Sequence, residues 1–166
     1  SYNKNKLLEL YNGVEEYVNS TTGLKYMVGH SVTEYFLNRY AGVNPANGDA
    51  LWYTADGELT TEFREDDKVM TGKTYESPWA GGFGTTFIWK GISLSAQFSW
   101  MAKRYVMNND RFFEESNGIY STYNQSKRLL YNRWKKPGDI TDIPRYDVPA
   151  QLDDRFLENT SFLRLK

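Results

Sequence analysis

The 166-residue sequence has no cysteine, a single histidine and no long apolar run. Without cysteine there is no disulfide framework and no thiolate metal site. The lone His30 has no second imidazole or thiolate with which to share a metal, so it reads as a strand or loop histidine. The longest uninterrupted apolar stretch is Ala50-Leu51-Trp52-Tyr53, far short of the ~20 residues that a membrane helix needs. That absence leaves a membrane β-barrel untouched, because barrel strands alternate and never build a long apolar run. An excess of one charge is missing as well. The net charge is −1 and the pI about 5.9, which gives no electrostatic footprint for nucleic acid.

Catalytic patterns are equally scarce. Thr71–Thr74 (TGKT) resembles a phosphate loop, but Asp67 stands where the first glycine of that motif belongs. The glycines of GGFG, at 81–84, lead into a strand and not into the helix N-terminus that holds phosphate. The adjacent acids Asp66-Asp67 and Asp153-Asp154 lie in polar stretches and read as solvated charge, not as a glycosidase pair. No enzyme is expected.

Aromatic residues are plentiful: thirteen Tyr, nine Phe and five Trp make 16% of the chain, too many for a disordered segment. They are organised most clearly in WKGISLSAQFSW, Trp89 to Trp100. Ile92, Leu94, Ala96, Phe98 and Trp100 alternate without a slip with Ser93, Ser95, Gln97 and Ser99. A period of two marks a strand whose successive side chains point to opposite faces. The pair Lys90-Gly91 connects it tightly to a strand from Phe83 to Trp89, so a hairpin is expected at about 83–100. Ile92–Trp100 has the ~9–11 residues of a tilted membrane strand, with Trp89 and Trp100 where an aromatic girdle would lie.

Elsewhere the pattern predicts a strand in Asn5–Gly13, strand structure over Leu24–Val43 bent at Gly29, and a small hairpin of 51–54 with 58–61 across Asp56-Gly57. Asn124–Trp134 reads as a short helix capped by Asn124 with Leu130 and Trp134 turned inward. Two long stretches, about 43–78 and 108–160, otherwise read as irregular excursions on either side of the hairpin. Short turns at one end and long loops at the other are what outer-membrane barrels show. The chain opens on the polar SYNKNK without Met or a signal pattern, and SFLRLK reads as the start of a further strand. Both ends are therefore expected to lie inside a longer chain; a complete soluble domain is the alternative.

Six motifs, in order along four stretches, carry a resemblance. RYAGVNPANGDALWYTADGELT is followed by DDKVMTGKTYESPWAGGFGTTFIWKGISLSAQFSW, then by NRWKKPGDITDIPRYD and FLENTSFLRLK. From about Leu24 onward the chain thereby resembles the C-terminal barrel half of SusC/RagA-like TonB-linked outer-membrane proteins. The resemblance implies a mainly β fold: antiparallel strands and hairpins of part of a large outer-membrane β-barrel, with long extracellular loops containing a short helix. It implies import of oligosaccharides or peptides, powered through TonB and assisted by a SusD-like surface lipoprotein. A barrel of about 22 strands needs over ~220 residues in its strands alone. This chain is thus expected to be a partial segment, 1–166, without the plug domain, the TonB-contacting part and the remaining strands. On that view Ile92, Leu94, Phe98 and Trp100 face outer-membrane lipid.

The aromatic loops supply candidate ligand residues. Trp52, Tyr53 and Trp79 flank turns, and Asn108, Asn109 and Asp110 open the second long stretch. Aromatic faces with amides and carboxylates suit a saccharide or peptide; loop packing is the competing explanation. No cofactor is expected. Calcium among the oxygen donors of NPANGDALWYTADGE or NNDRFFEESNG is a weak alternative, because neither follows the calcium-loop pattern. The basic stretch Lys127–Lys136 reads as an exposed helix, with anionic lipopolysaccharide contact as its other use. A soluble β-sandwich module that binds sugars, with Ile92, Leu94 and Phe98 packed between sheets, is the competing account of the whole chain.

Overall fold

The structure, a computed structural model, describes residues 1–19, 24–120 and 122–166. It is mainly β, with antiparallel sheets and two short helices. Among the described residues no helix is long and apolar enough to cross a membrane.

The chain divides into two units. The first comprises Ser1–Tyr35, Met70–Val106 and Asn159–Lys166. Strands β1 (Glu16–Val18) and β2 (Lys25–Met27) pair antiparallel within it. The segment from Asn5 to Gly13, expected as a strand, instead runs without regular structure into a 3-10 turn at Tyr11–Gly13, and its Asn12-Gly13 pair turns left-handed as turn residues do. Strand β3 (Glu34–Leu37) pairs with β7 (Val69–Thr74).

The dominant element is the hairpin of β8 (Trp79–Trp89) and β9 (Ile92–Ala102), eleven residues each. Its Lys90-Gly91 turn has φ of 46° and 85°, the two positive values that match a tight turn to the twist of its strands. The hairpin is longer than the expected 83–100 because β8 starts at Trp79. The Gly-rich run, whose glycines suggest a turn-rich entry to the strand, is strand interior, paired from Gly81 opposite Trp100 to Gly84 opposite Gln97. The closing strand β12 (Phe162–Leu165) pairs antiparallel with β9, as its sequence suggests.

The second unit comprises Phe36–Val69 and Met107–Glu158. The sequence offers these segments as two separate irregular excursions; they fold on each other. Strands β4 (Arg39–Val43), β5 (Ala50–Tyr53) and β6 (Leu59–Thr60) form a sheet, with a bulge between Tyr40 and Gly42. Strand β10 (Tyr105–Met107) pairs with β11 (Leu157–Asn159). Helix α1 (Asn109–Glu114) is capped by the Asn108 side chain, which accepts the Arg111 N–H. Helix α2 (Lys127–Asn132) is shorter than expected and starts later, because Ser126 and not Asn124 supplies the cap. Its inward residue is Leu129, 3% exposed, whereas Leu130 points to solvent.

Among the described residues every buried apolar side chain lies in the second unit: Leu37, Ala50, Trp52, Leu129, Ile143, Ala150 and Phe156. The first unit has none. A β-sandwich would bury Ile92 and Leu94 between sheets, and both are exposed.

Candidate functional site

The most extensive chemical surface of the first unit is one face of its long hairpin. Directly opposed residues of an antiparallel pair share a face. The register sets Trp89 beside Ile92, Phe87 beside Leu94, Phe83 beside Phe98 and Gly81 beside Trp100. Strand β12 extends this face with Leu163 beside Trp100 and Leu165 beside Phe98. Phe83, Phe87, Trp89, Ile92, Leu94, Leu163 and Leu165 are all 55–65% exposed. Phe98 and Trp100 share the face but are half-buried. Phe98 stacks on Phe83 at 4.9 Å, and the Trp100 ring lies over Gly81, where a Cβ would come 3.0 Å from its Nε1. The reverse face carries Ser93, Ser95, Gln97 and Ser99, with the Thr86 and Ser95 hydroxyls 3.2 Å apart. Ile88 is apolar at one end of that face, and Ala80, Met101 and Phe162 at the other.

Burying an apolar side chain of this size is worth ~1.5–3 kcal/mol. Seven such groups left in water forgo on the order of 10 kcal/mol, as much as the whole stability of a typical domain. The face therefore calls for an apolar solvent. Eleven residues at ~3.3 Å each, tilted ~45°, span about 26 Å along a membrane normal. That matches the ~25 Å apolar band of a barrel.

The candidate ligand residues take several different places. Trp52 is 4% exposed and edge-on to Phe63 at 5.5 Å and to Tyr40 at 6.1 Å. Its indole N–H donates to Asp153 Oδ2 at 2.8 Å, so the ring has no face left for a ligand: it is a core residue of the second unit. Tyr53 is 37% exposed, with the Arg39 guanidinium 5.4 Å over its ring. Trp79 stands at the start of β8, packed on Tyr2 at 4.3 Å. Asn108 is spent on the helix cap, and its amide also donates to Glu158 at 3.0 Å. Asn109 and Asp110 are exposed in the first turn of α1. The Asn44–Asp49 stretch folds as successive Asx turns, with Asn44 accepting from Ala46 and Asn47 from Asp49. The Asp49 carboxylate is taken by Arg145 at 3.0 Å.

Sequence reasoning missed the polar lattice that joins the two excursions. The Glu115 carboxylate, 2% exposed, accepts from Arg128 at 2.7 Å and from Arg111 at 3.3 Å. Both arginines also reach Asp142, at 2.7 and 3.5 Å. Arg155 donates to the Asp142 carbonyl at 3.0 Å and lies over the Tyr40 and Phe156 rings. Asp153 is fully buried. Loss of hydration pushes its carboxyl up to about 6, against the opposing pull of Arg155 and the Trp52 N–H. Burial likewise raises the Tyr40 hydroxyl above its ordinary value. Only the Arg111–Glu115 pair, four residues apart, has a local spacing; Arg128 stands 13 and 14 residues from Glu115 and Asp142, and Arg155 13 from Asp142.

In the first unit a cleft of about 590 Å³ is lined by Lys4, Lys6, His30, Glu34, Lys73 and Trp79 among others. His30 Nδ1 lies 3.0 Å from Glu34 Oε2, and Glu34 Oε1 accepts the Gly72 N–H at 2.7 Å. The histidine is thus tied to a structural carboxylate. Among the described residues no three His, Asp or Glu side chains converge as a metal site.

No family model matches the chain, and no curated protein does. Solved structures do. A chain of the RagAB peptide transporter superposes on 99% of the sequence with a TM-score of 0.88 and 34% identity. The RagAB peptide importer matches equally in its "open-open" state, with a TM-score of 0.88, and in its "closed-closed" state, with 0.87, both at 34% identity. The chain spans 18–19% of the length of those transporter chains. Over nearly its whole length, then, this chain is similar to about a fifth of a far longer transporter chain, and its antiparallel architecture fits a fragment of a large β-barrel transporter.

Proposed function

We propose that the chain is a wall-and-loop segment of a TonB-dependent outer-membrane importer of the SusC/RagA type. Strands β8, β9 and β12 form part of the barrel wall, with Ile92, Leu94, Phe98 and Trp100 toward lipid and the serine face toward the lumen or plug. The segments folded into the second unit are the extracellular loops, reached from the strand ends opposite the Lys90-Gly91 turn. The plug, the TonB-contacting part and the other strands belong to the rest of the importer, whose surface partner is a SusD-like lipoprotein. The cargo is a peptide or an oligosaccharide; similarity to a peptide importer favours the peptide. On this reading Tyr53, Trp79, Asn109 and Asp110 are the exposed residues left for cargo contact, and catalysis and cofactors have no part.

One observation carries the reading: the described residues of the first unit bury no apolar side chain while the hairpin exposes a largely apolar face, interrupted by Thr85 opposite Ala96. The test is to place a nitroxide at Leu94 and at Ser95 of the full-length protein in outer-membrane vesicles. Oxygen, which partitions into lipid, should relax the label at 94 strongly and that at 95 weakly. A water-soluble relaxant should show the reverse. Equal water access at both sites would end the proposal.

A further inference from the structure

Residues 1–3 begin a strand on the outer edge of the long hairpin. Tyr2 pairs antiparallel with Trp79. The Ser1 nitrogen donates to the Ala80 carbonyl at 2.8 Å, and the Ala80 N–H donates back to the Ser1 carbonyl at 3.2 Å. The Asn3 N–H donates to the Pro78 carbonyl at 2.8 Å. This is the alternation of an antiparallel ladder, with Ser1 and Ala80 as a hydrogen-bonded pair and Tyr2 and Trp79 as the closer, non-hydrogen-bonded one. The Tyr2 and Trp79 rings meet at 4.3 Å, as the side chains of a close pair do.

Beyond Ala80 the same edge is open. In its sheet β8 has β9 on one side only. Groups on one edge of a strand recur at every second residue. The N–H and C=O groups of Gly82, Gly84, Thr86 and Ile88 therefore continue the row that Ala80 starts. Among the described residues no backbone group bonds to them from that side. An open edge of this length is a template for another strand, and in hydrocarbon no water takes the partner's place. The direction of the chain selects the strand. Traced backward from Asn3 through Tyr2 and Ser1, the backbone runs antiparallel to β8 and heads along Gly81 toward Trp89.

We infer that the polypeptide immediately before Ser1 is the wall strand next to β8, in the register that Tyr2 and Trp79 set. Each step back from Ser1 is matched by a step forward on β8. The first residue before Ser1 then opposes Gly81, the third Phe83 and the seventh Phe87. Opposed residues share a face, so the odd places in that count lie on the apolar face and the even places on the serine face. Residues 4–78 form a single excursion between two neighbouring wall strands. Strands β1, β2, β3 and β7 belong to that excursion and not to the wall. The inference rests on the barrel reading for the need to close the edge, whereas its register comes from bonds already in place.

The experiment uses the full-length protein in its native outer membrane. This segment has no cysteine, and any cysteine elsewhere is replaced by serine. Phe87→Cys is combined in turn with a cysteine at the sixth, seventh or eighth residue before Ser1. Tyr2→Cys/Trp79→Cys is the reference pair. Non-hydrogen-bonded pairs hold their Cα atoms ~4.5 Å apart, within the span of a disulfide, while the adjacent positions point to the other face. After mild oxidation and digestion, linked peptides are read by mass spectrometry. The expected result is a disulfide within one chain at the seventh residue and none at the sixth or eighth. Heat-modifiable migration checks that each variant folds, and Phe83→Cys with the third residue before Ser1 repeats the test at a second point. A disulfide at the sixth or eighth residue in place of the seventh, or one that joins two copies, overturns the inference. So does the lack of any link at both test pairs while the reference pair closes, or failure of the reference pair itself. Equal water access at Leu94 and Ser95 would instead sink the barrel reading, whatever the cross-links show.

Discussion

Replacing Leu94 by Arg tests what solvent the hairpin faces, and the structure sets the size of the effect. Leu94 is 65% exposed and opposed to Phe87. If that exposure is to water, arginine at this position changes stability by no more than about 0.5 kcal/mol, as surface substitutions do. If it is to lipid, the cost depends on depth. The middle of β9 is Gln97, three residues away, so Leu94 lies about 10 Å along the strand and, at ~45° tilt, about 7 Å from the membrane midplane. Arginine costs ~2–4 kcal/mol at the midplane and ~0–1 at the interface, which puts Leu94→Arg at roughly 1–3 kcal/mol. Ser95→Arg, one residue on and facing the other way, should cost close to nothing. The assay is the denaturant midpoint of the full-length protein refolded into bilayers, read by gel mobility of the folded barrel. Equal midpoints for the two variants, or a larger loss at Ser95, would refute the assignment of faces.

Three further outcomes follow from the second unit. Asp153 has a folded-state value raised to about 6 from 3.8, so its contribution of ~3 kcal/mol is present below pH ~4 and is lost as pH rises through ~6. Asp153→Asn should flatten that part of the pH dependence, followed by hydrogen exchange of segment 107–158; an unchanged slope would show that the carboxyl is not the group responsible. Trp52→Phe keeps the apolar bulk but removes the N–H from a buried carboxylate, at a cost of ~1–3 kcal/mol, and should make the unit more sensitive to protease while leaving membrane insertion intact. At Gly48, with φ of +78°, an added Cβ would come within 2.4 Å of the Trp134 ring. Gly48→Ala should therefore displace that ring and shift its fluorescence, and an unshifted spectrum would mean the loop moves freely.

How legible the molecule is depends on how far apart the interacting residues stand. The hairpin was readable because its signal is local: a period of two, a tight turn and matched strand lengths lie within some two dozen residues. Its one misreading concerns Gly81–Gly84. Glycine clusters usually mark turns, but here they leave room for what lies over them, the Trp100 ring at Gly81 and the Gln97 side chain at Gly84, where a Cβ would meet Cγ at 2.9 Å. In the second unit the small hairpin and the short helix are legible, but the contacts that join its segments are not. Trp52 and Asp153 are 101 positions apart, as are most partners of the arginine lattice from theirs by a dozen or more, and no window of sequence contains both. Trp52 looked like an exposed loop aromatic because it stands next to Asp-Gly; its burial is decided by Phe63 and Asp153, neither of which its neighbourhood announces. Helix α1 is too short for periodicity to show, and only the Asn108–Arg111 cap could have betrayed it.

The two units therefore solve the same problem in opposite ways. The described core of the second unit gathers an aromatic and aliphatic centre and an arginine–carboxylate lattice, because buried charges need partners. In the first, β9 pairs with β8 along its whole length and with β12 at one end, while the apolar side chains along the shared face stay largely exposed. The same composition, rich in Tyr, Phe and Trp, serves both: rings turned inward in the second unit, rings left largely exposed on the hairpin face of the first.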